Sequence, residues 1–427
     1  MKLLVVGGGG REHAIIRCLR KNPAVEEIFA LPGNGGMAGE ATCVPVKATD
    51  IEGIVRFAVE NRVDYAVVAP DDPLVLGAVD ALAEAGIPAF GPRKRAAVIE
   101  GSKAFAKDLM RRYGIPTASF ETFTDPDAAL SYVEKAPLPV VVKADGLALG
   151  KGVMIAETRE EARAAVIGMM RDKKFGKSGE VVVIEEFLTG PEVSVLAFTD
   201  GTSVVPMVSS MDHKRALDGD KGLNTGGMGT VAPNPYYTED VAARCMEEIF
   251  LPTIRAMKKE GREFRGCLYF GLMLTPKGPR VIEYNCRFGD PETQVVLPLL
   301  QSDLLTVMQA VTEGRLSEAD VRFSDESCAC VVLASEGYPV SYEKGKPISM
   351  PADVKPFVYA AGVAVKDGVP VTAGGRVLGV TAVAKDLETA LKTAYERADR
   401  IRFEGAFCRR DIGQRALAAL KKDGMQE

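Results

Sequence analysis

Short apolar runs that read as strands alternate with helical stretches through the first hundred residues, and each run ends in a glycine- or proline-rich turn. KLLVV at 2–6 meets four glycines, Gly7–Gly10, then Arg11–Arg20, where Ala14, Ile15, Cys18 and Leu19 stand at helical spacing. EEIFALPGN supplies a second strand and turn, DYAVVAPDDPLV a third, and GIPAFGP a fourth after an expected helix over Val75–Ala85. Such alternation needs long crossovers and implies a parallel, doubly wound sheet. Ligands of these sheets meet the strand ends, here Gly7–Gly10, Pro32–Gly36 and Pro70–Pro73.

At 427 residues the chain is too long for one hydrophobic core. A second unit opens near Gly101 with a helix over Lys103–Tyr113, ended by Gly114 and Pro116. Within it a compact module of strands and helices runs from about 122 to 190, and strand-rich, loop-rich text continues to about 326. A helix is expected over Glu239–Glu260 and strands over Cys267–Thr275 and Val281–Tyr284. Residues 327–427 form a further mixed α/β segment. The expected division is therefore 1–101, 102–326 and 327–427.

Composition excludes several classes. Hydrophobic residues at 47% and charged ones at 26% rule out disorder, collagen and coiled coil. Apolar runs such as Leu138–Val142 are too short to span a bilayer, and MKLLVVGGGG is no secretory signal. Eight scattered cysteines read as reduced core thiols. A net charge of −5 argues against nucleic acid as a partner. A cytoplasmic protein without a membrane partner is expected.

The glycine run at 7–10 presents a helix N-terminus to a phosphate. As a dinucleotide motif it is defective, since the third glycine would fall at Glu12 and the second strand ends in Leu31-Pro32-Gly33-Asn34 without an acidic residue. A tight turn and a phosphosugar site both remain open. PVVVKADGLALGKGV at 139–153 is more specific. Lys143 stands in an otherwise apolar strand, where a charge needs an anion. Gly146, Gly150 and Gly152 loosen the following loop and Lys151 charges its tip, yet this is no Walker loop.

In VVVIEEFLTGPEVSV, the strand ending Glu185-Glu186-Phe187-Leu188 offers main-chain groups to an adenine edge, and Glu192 an acceptor to ribose hydroxyls. RVIEYNCRFGDPE at 280–292 is the strongest signal. Strand alternation sets Glu283, Asn285 and Arg287 on one face. The first two are hard oxygen ligands suited to Mg²⁺, and the arginine suits a phosphoryl group in transfer. Asp212, His213, Lys214 and Arg215 open a glycine-rich loop to Gly229, which reads either as a surface loop or as a site for anionic substrates. With two histidines in the chain, histidine metal sites and Ser-His-Asp triads are poorly supplied. Cys328 and Cys330 read as packing thiols on a strand.

Taken in order, GGREHA at 9–14, the PGN turn, FGP at 90–92, EGSKAF at 100–105, KADGLA at 143–148, GKGV at 150–153, EEFL, DHKR, NTGGMG at 224–229, EYNCRFGDPETQ at 283–294, GGRVL at 374–378 and CRRDIG at 408–413 resemble the glycinamide ribonucleotide synthetases of the ATP-grasp superfamily, essentially end to end. Gly8, Asp71-Asp72 and Leu149 depart from the family pattern, and Cys267–Leu274 lacks the second acidic metal ligand of many relatives.

The resemblance implies an α/β multidomain chain. Its parts would be a doubly wound N-terminal domain, an ATP-grasp domain with a small mobile lid, and a C-terminal α/β domain. It implies ATP, glycine and 5-phosphoribosylamine as substrates, Mg²⁺ or Mn²⁺ as cofactor, and a glycyl phosphate intermediate. A monomer is expected. By the same resemblance Lys103, Lys143 and Lys151 hold phosphates beneath the 146–152 loop. Glu185, Glu186, Leu188 and Glu192 hold adenosine, and Glu283 and Asn285 the metal. Arg287 steadies the phosphoryl group; Asp212, Lys214 and Asp290 orient glycine and the amine; Gly10, Asn34 and Gly35 seat the ribose phosphate. The alternatives are a biotin-carboxylase-like or D-alanine-ligase-like enzyme, an NAD(P) oxidoreductase and a non-catalytic nucleotide-binding regulator.

Overall fold

The computed structural model of the chain describes residues 1–147 and 152–423. Its N-terminal part is a parallel sheet of β1 (Lys2–Gly7), β2 (Glu27–Pro32), β3 (Thr42–Cys43), β4 (Tyr65–Val68) and β5 (Ala89–Phe90), in the order β3-β2-β1-β4-β5. Between the strands run α1 (Gly10–Leu19), α2 (Ile51–Glu60), α3 (Asp71–Leu76) and α4 (Ala78–Glu84). Leu3–Val6 are fully buried because both faces of the sheet are covered. The order reverses beside β1, so the ends of β1 and β4 open a crevice. The single helix expected over Val75–Ala85 is broken: Gly77, at φ +99, ends α3 and starts α4.

The middle part begins with α5 (Lys94–Gly101) and α6 (Lys103–Tyr113). Ser102 caps α6 through the Phe105 N–H, and Gly114 at φ +66 ends it. Next come β6 (Phe120–Phe123), α7 (Pro126–Val133), β7 (Val140–Ala144), β8 (Val153–Ala156), α8 (Arg159–Val166) and β9 (Val182–Glu186). Their antiparallel sheet, β6-β9-β7-β8, packs Val140, Val142 and Ile184 against Ala162 and Val166 in a core separate from the rest. A module with its own core can move as a body.

The chain continues through β10 (Glu192–Thr199), β11 (Val204–Pro206), β12 (Met211–Asp212), β13 (Arg215–Leu217), β14 (Lys221–Asn224) and β15 (Gly229–Ala232). After α9 (Glu239–Cys245) and α10 (Leu251–Lys259), joined by a π turn, come β16 (Gly266–Thr275), β17 (Gly278–Asn285), α11 (Thr293–Val296) and α12 (Leu304–Glu313). Strands β11-β10-β16-β17 form the central antiparallel sheet, while among the described residues β13 and β14 pair only with each other.

The last part holds β18 (Ser327–Ser335), β19 (Val358–Ala360), β20 (Val363–Lys366), β21 (Val369–Thr372), β22 (Arg376–Ala384), α13 (Leu387–Ala398), β23 (Ala406–Phe407) and α14 (Gln414–Asp423). Its sheet runs β12-β15-β18-β22-β19 with β23 on β18. Two strands from the glycine-rich loop thus complete the C-terminal sheet, which a cut at 326 hides. Cys328 and Cys330 are buried on β18 as packing thiols. No described helix is long and apolar enough to cross a membrane.

Candidate active site

Lys143 sits near the end of β7, where Val141 faces Glu185 and Lys143 faces Val183 across β9. Its Nζ lies 2.9 Å from Glu185 Oε1, and Lys107 Nζ on α6 lies 3.1 Å from the other oxygen. All three side chains are buried. Lys143 also donates to the Ile282 carbonyl at 3.2 Å. That carbonyl is available because the β16–β17 ladder is irregular there: Gly271 pairs with Glu283 and Leu272 with Val281, leaving Ile282 out. Lys143 therefore ties the small module to the central sheet. The Glu185 carboxylate is occupied by two lysines, and its backbone lies in the sheet between β6 and β7. Glu186 bonds Ser119 in both directions, its amide to the Ser119 carbonyl and its carboxylate from the Ser119 N–H, each at 2.9 Å. Beyond β9 the chain leaves the sheet at Phe187 and Leu188.

At the start of α6, Lys103 Nζ donates to the Gly146 carbonyl at 2.7 Å. Asp145 accepts from the Ala104 N–H at 3.0 Å and from Ser102 Oγ at 3.2 Å. The glycine loop thus leaves from a helix N-terminus already pinned by Asp145. Gly146 has φ +83, and a Cβ there would meet Ser178 Oγ at 2.9 Å. Gly152 is buried; Gly150 and Lys151 lie outside the described residues.

Glu283 and Asn285 share one face of β17. Burial opposes the charge on Glu283, but Lys214, Lys143, Lys103 and Arg287 together hold it below the usual carboxylate range. Lys214 Nζ stands 3.7 Å from both Glu283 and Glu192. Burial disfavours the Lys214 charge, and the two carboxylates more than offset this, so it stays protonated. Among the described residues no group of three or more His, Cys, Asp and Glu is arranged for a metal. A carboxylate kept ionised beside a neutral amide oxygen fits a divalent ion that takes its other ligands from phosphates and water.

Arg287 falls beyond the end of β17 and does not share its face as expected. Its NH2 pairs with Glu100 Oε1 at 3.0 Å, and its Nε, buried, has no partner. Glu100 also accepts from the Cys286 N–H at 2.7 Å.

The glycine turn is closed by carboxylates. Glu12 accepts from the Gly9 N–H at 2.6 Å and pairs with Arg11 at 2.6 Å. Where a dinucleotide motif keeps glycine for a pyrophosphate, this chain puts an anion of its own, which excludes that reading. Asp290 accepts from the Arg11 N–H, and with Arg376 and Arg11 beside it, these partners outweigh burial and hold it below the usual carboxylate range. Gln294 donates to Asp290 at 2.9 Å and packs on Gly10, where a Cβ would come within 2.6 Å. Asn34 donates to the Gly8 and Ala360 carbonyls at 2.9 and 2.8 Å, and the Gly35 N–H to Val363 at 2.9 Å. The donors expected to seat a phosphate at Asn34 and Gly35 are thus spent joining the first and last parts of the chain, and Gly10 is filled by Gln294.

Arg376 on β22 donates to the Gly226 and Asp290 carbonyls at 2.8 and 2.9 Å. Asp212 lies against Gly227, and burial and the nearby Glu292 push its carboxyl well above the usual range. Sequence reasoning missed Lys107, Glu100, Glu292 and Arg376. The last three lay inside quoted family strings, but nothing local marks them as site groups.

A lysine-strand module hinged over a central sheet that carries Glu283 and Asn285 defines an ATP-grasp enzyme. Three family models match in succession: "Phosphoribosylglycinamide synthetase, N domain" over 1–100, "ATP-grasp (A) domain" over 101–293 and "C domain" over 328–415. The chain is 46% identical over 413 residues to a phosphoribosylamine–glycine ligase of Caldanaerobacter subterraneus, covering 96% of this chain and 99% of that one. A crystal structure of phosphoribosylamine–glycine ligase from Thermotoga maritima superposes with a TM-score of 0.85 at 36% identity, covering 96% of this chain and all of that one. The biotin carboxylase domain of a Hydrogenobacter thermophilus 2-oxoglutarate carboxylase shares the fold alone, with a TM-score of 0.75 at 17% identity and coverage of 95% and 91%. The chain belongs to the phosphoribosylglycinamide synthetase family.

Proposed function

We infer that the chain is an ATP-dependent ligase that joins glycine to 5-phosphoribosylamine, giving glycinamide ribonucleotide, ADP and phosphate in purine biosynthesis. The observation that carries the reading is one carboxylate, Glu283, ringed by Lys103, Lys143, Lys214 and Arg287. A cage of cations around a metal-binding carboxylate suits polyphosphate and an acyl phosphate, and little else.

A carboxylate is a poor acyl donor. A glycine oxygen attacks the γ-phosphorus and ADP leaves, giving glycyl phosphate. The amine nitrogen of phosphoribosylamine then attacks the acyl carbon, phosphate departs, and the nitrogen gives up one proton. Such chemistry rests on positioning and charge neutralisation. Lys103 and Lys143 hold the phosphates, with Phe187 and Leu188 at the base and Glu192 at the ribose. Glu283 and Asn285 hold the divalent ion, Mg²⁺ by the hardness of its donors, which supplies charge neutralisation at the phosphates. Arg287, fixed by Glu100, faces the transferred group. Asp290 and Asp212 orient the amine, and the departing phosphate takes its proton.

The test is ADP release with Mg²⁺-ATP, glycine, and phosphoribosylamine formed in situ from ribose 5-phosphate and ammonia, omitting each in turn. ADP that requires glycine and the amine together establishes the ligase. Bicarbonate or D-alanine dependence would replace it.

A further inference from the structure

Lys214 holds its place between Glu192 and Glu283 although the chain around it has little support of its own. It opens the β13–β14 ribbon, a two-stranded sheet paired with no other described strand. Leu217 and Leu223 on that ribbon are 53% and 56% exposed. A lone hairpin is marginally stable in water, so something else must hold this one.

That support comes from the far end of the chain. Arg409, 2% exposed, grips Asp411 with two bonds of 2.8 Å. Its NH1 donates to the Arg215 carbonyl and to Asp220 Oδ1, each at 3.0 Å. Asp411 in turn accepts from the Gly219 N–H at 2.8 Å, and the Arg410 N–H donates to Asp218 at 2.8 Å. On the other side of Lys214, the Gly413 N–H donates to His213 Nε2 at 3.0 Å, and the His213 ring bonds the Gly229 carbonyl at 3.1 Å. Residues 409–413 thus clasp the residue before Lys214, the residue after it, and the turn of its ribbon. Burying a guanidinium is costly unless every donor is met, and apart from Asp411 the partners that meet these donors lie on the ribbon.

We propose that Arg409 is a positioning residue for the ligase reaction: through the Arg215 carbonyl and the Asp218–Asp220 turn it holds Lys214 against Glu192 and Glu283, so the C-terminal segment completes the nucleotide end of the site. This rests on the nucleotide reading of Glu192 and Glu283 given above.

The test compares Arg409→Met, Arg409→Lys, Lys214→Met and the Arg409→Met/Lys214→Met double variant. The readouts are Mg-ADP affinity by calorimetry and steady-state KM and kcat. Arg409→Met should weaken Mg-ADP binding and raise the KM for ATP at least tenfold, leave the KM for glycine within twofold, and add nothing on the Lys214→Met background. Arg409→Lys, which keeps a donor for the Arg215 carbonyl, should recover part of the loss. An arginine that only stabilised the fold would lower kcat with the active fraction and leave every KM unchanged; that pattern overturns the proposal. If Arg409→Met does not fold, Asp220→Gly, which removes the acceptor for Arg409 and suits the backbone φ of 54 there, should raise the KM for ATP alone, and no change there overturns it. A native protein that binds Mg-ADP but makes no glycine-dependent ADP sinks the ligase reading and leaves the binding comparison decisive for Arg409.

Discussion

Arg287 and Glu100 form an ion pair, NH2 to Oε1 at 3.0 Å, that fixes the arginine just after β17 to the end of α5. Burial opposes both charges; on the arginine, Glu100 and Asp71 outweigh it and keep the guanidinium protonated. Glu100→Gln would strip that buried charge of its ion-pair partner and leave only the longer-range pull of Asp71. Breaking such a pair from one side costs about 3 kcal/mol or more. The variant should unfold at clearly lower urea and lose turnover even where it is fully folded. Native stability in Glu100→Gln would show that the pair is not what holds Arg287.

Glu283→Gln keeps the shape of the side chain and removes the charge that four cations surround. Turnover should fall at least about 100-fold, the loss expected when one preorganised electrostatic group is removed from a transfer site. The concentration of Mg²⁺ that gives half-maximal rate should rise, with circular dichroism unchanged. A rate within threefold of the native enzyme would remove Glu283 from the metal site.

What was legible in the sequence was whatever broke a local rule. Lys143 stands out because a charge inside VVVKA needs a partner, and Glu283 and Asn285 because alternation on a strand sets them together. Lys103–Tyr113 was readable to the residue, since Ser102 and Gly114 mark both ends. Glu100, Lys107 and Arg376 were silent because each obeys the rules of its own helix or strand and joins the site only through distant partners. The Arg376 guanidinium reaches Gly226, 150 positions away. The Ile282 irregularity that frees a carbonyl for Lys143 leaves no mark in composition. The turn at Asn34 and Gly35 shows the same limit: it looks free in the sequence, yet its donors are taken up by β19 and β20, more than three hundred residues later.

His213 should make the fold acid-sensitive. Burial first, with Arg409 and Arg415 nearby, brings its pKa from 6.5 down to about 4. Above pH 6.5 neither the folded nor the unfolded chain binds this proton and nothing is lost. Between 6.5 and 4 the unfolded chain takes up a proton that the folded one refuses, so stability falls as pH drops, by about 3 kcal/mol in all. His13, also lowered by burial, adds to the decline. Urea midpoints measured from pH 7 to pH 5 should fall less steeply in His213→Gln than in the native chain. Equal slopes would place the sensitivity elsewhere.

Gly227 is where backbone conformation and site chemistry coincide. Its φ of +118 is one that residues with a Cβ rarely adopt, and a Cβ there would lie 2.4 Å from Pro291 Cδ and 2.6 Å from Asp212 Oδ1. Neither neighbour can give way freely: Pro291 is a ring on the loop that carries Asp290 and Glu292, and Asp212 is held by the His213 N–H at 2.7 Å. Gly345 has a comparable φ of +85 but open space around it. Gly345→Ala should therefore cost only the backbone term, about 1 kcal/mol, with native kcat/KM. Gly227→Ala carries the same kind of strain and also displaces Asp212 or the loop at Pro291. It should lose more stability and, where still folded, at least tenfold in the glycine- and amine-dependent rate, with Mg-ADP affinity retained. Matching behaviour of the two variants would mean that Gly227 serves only the turn, and that Asp212 does not need its present position to work.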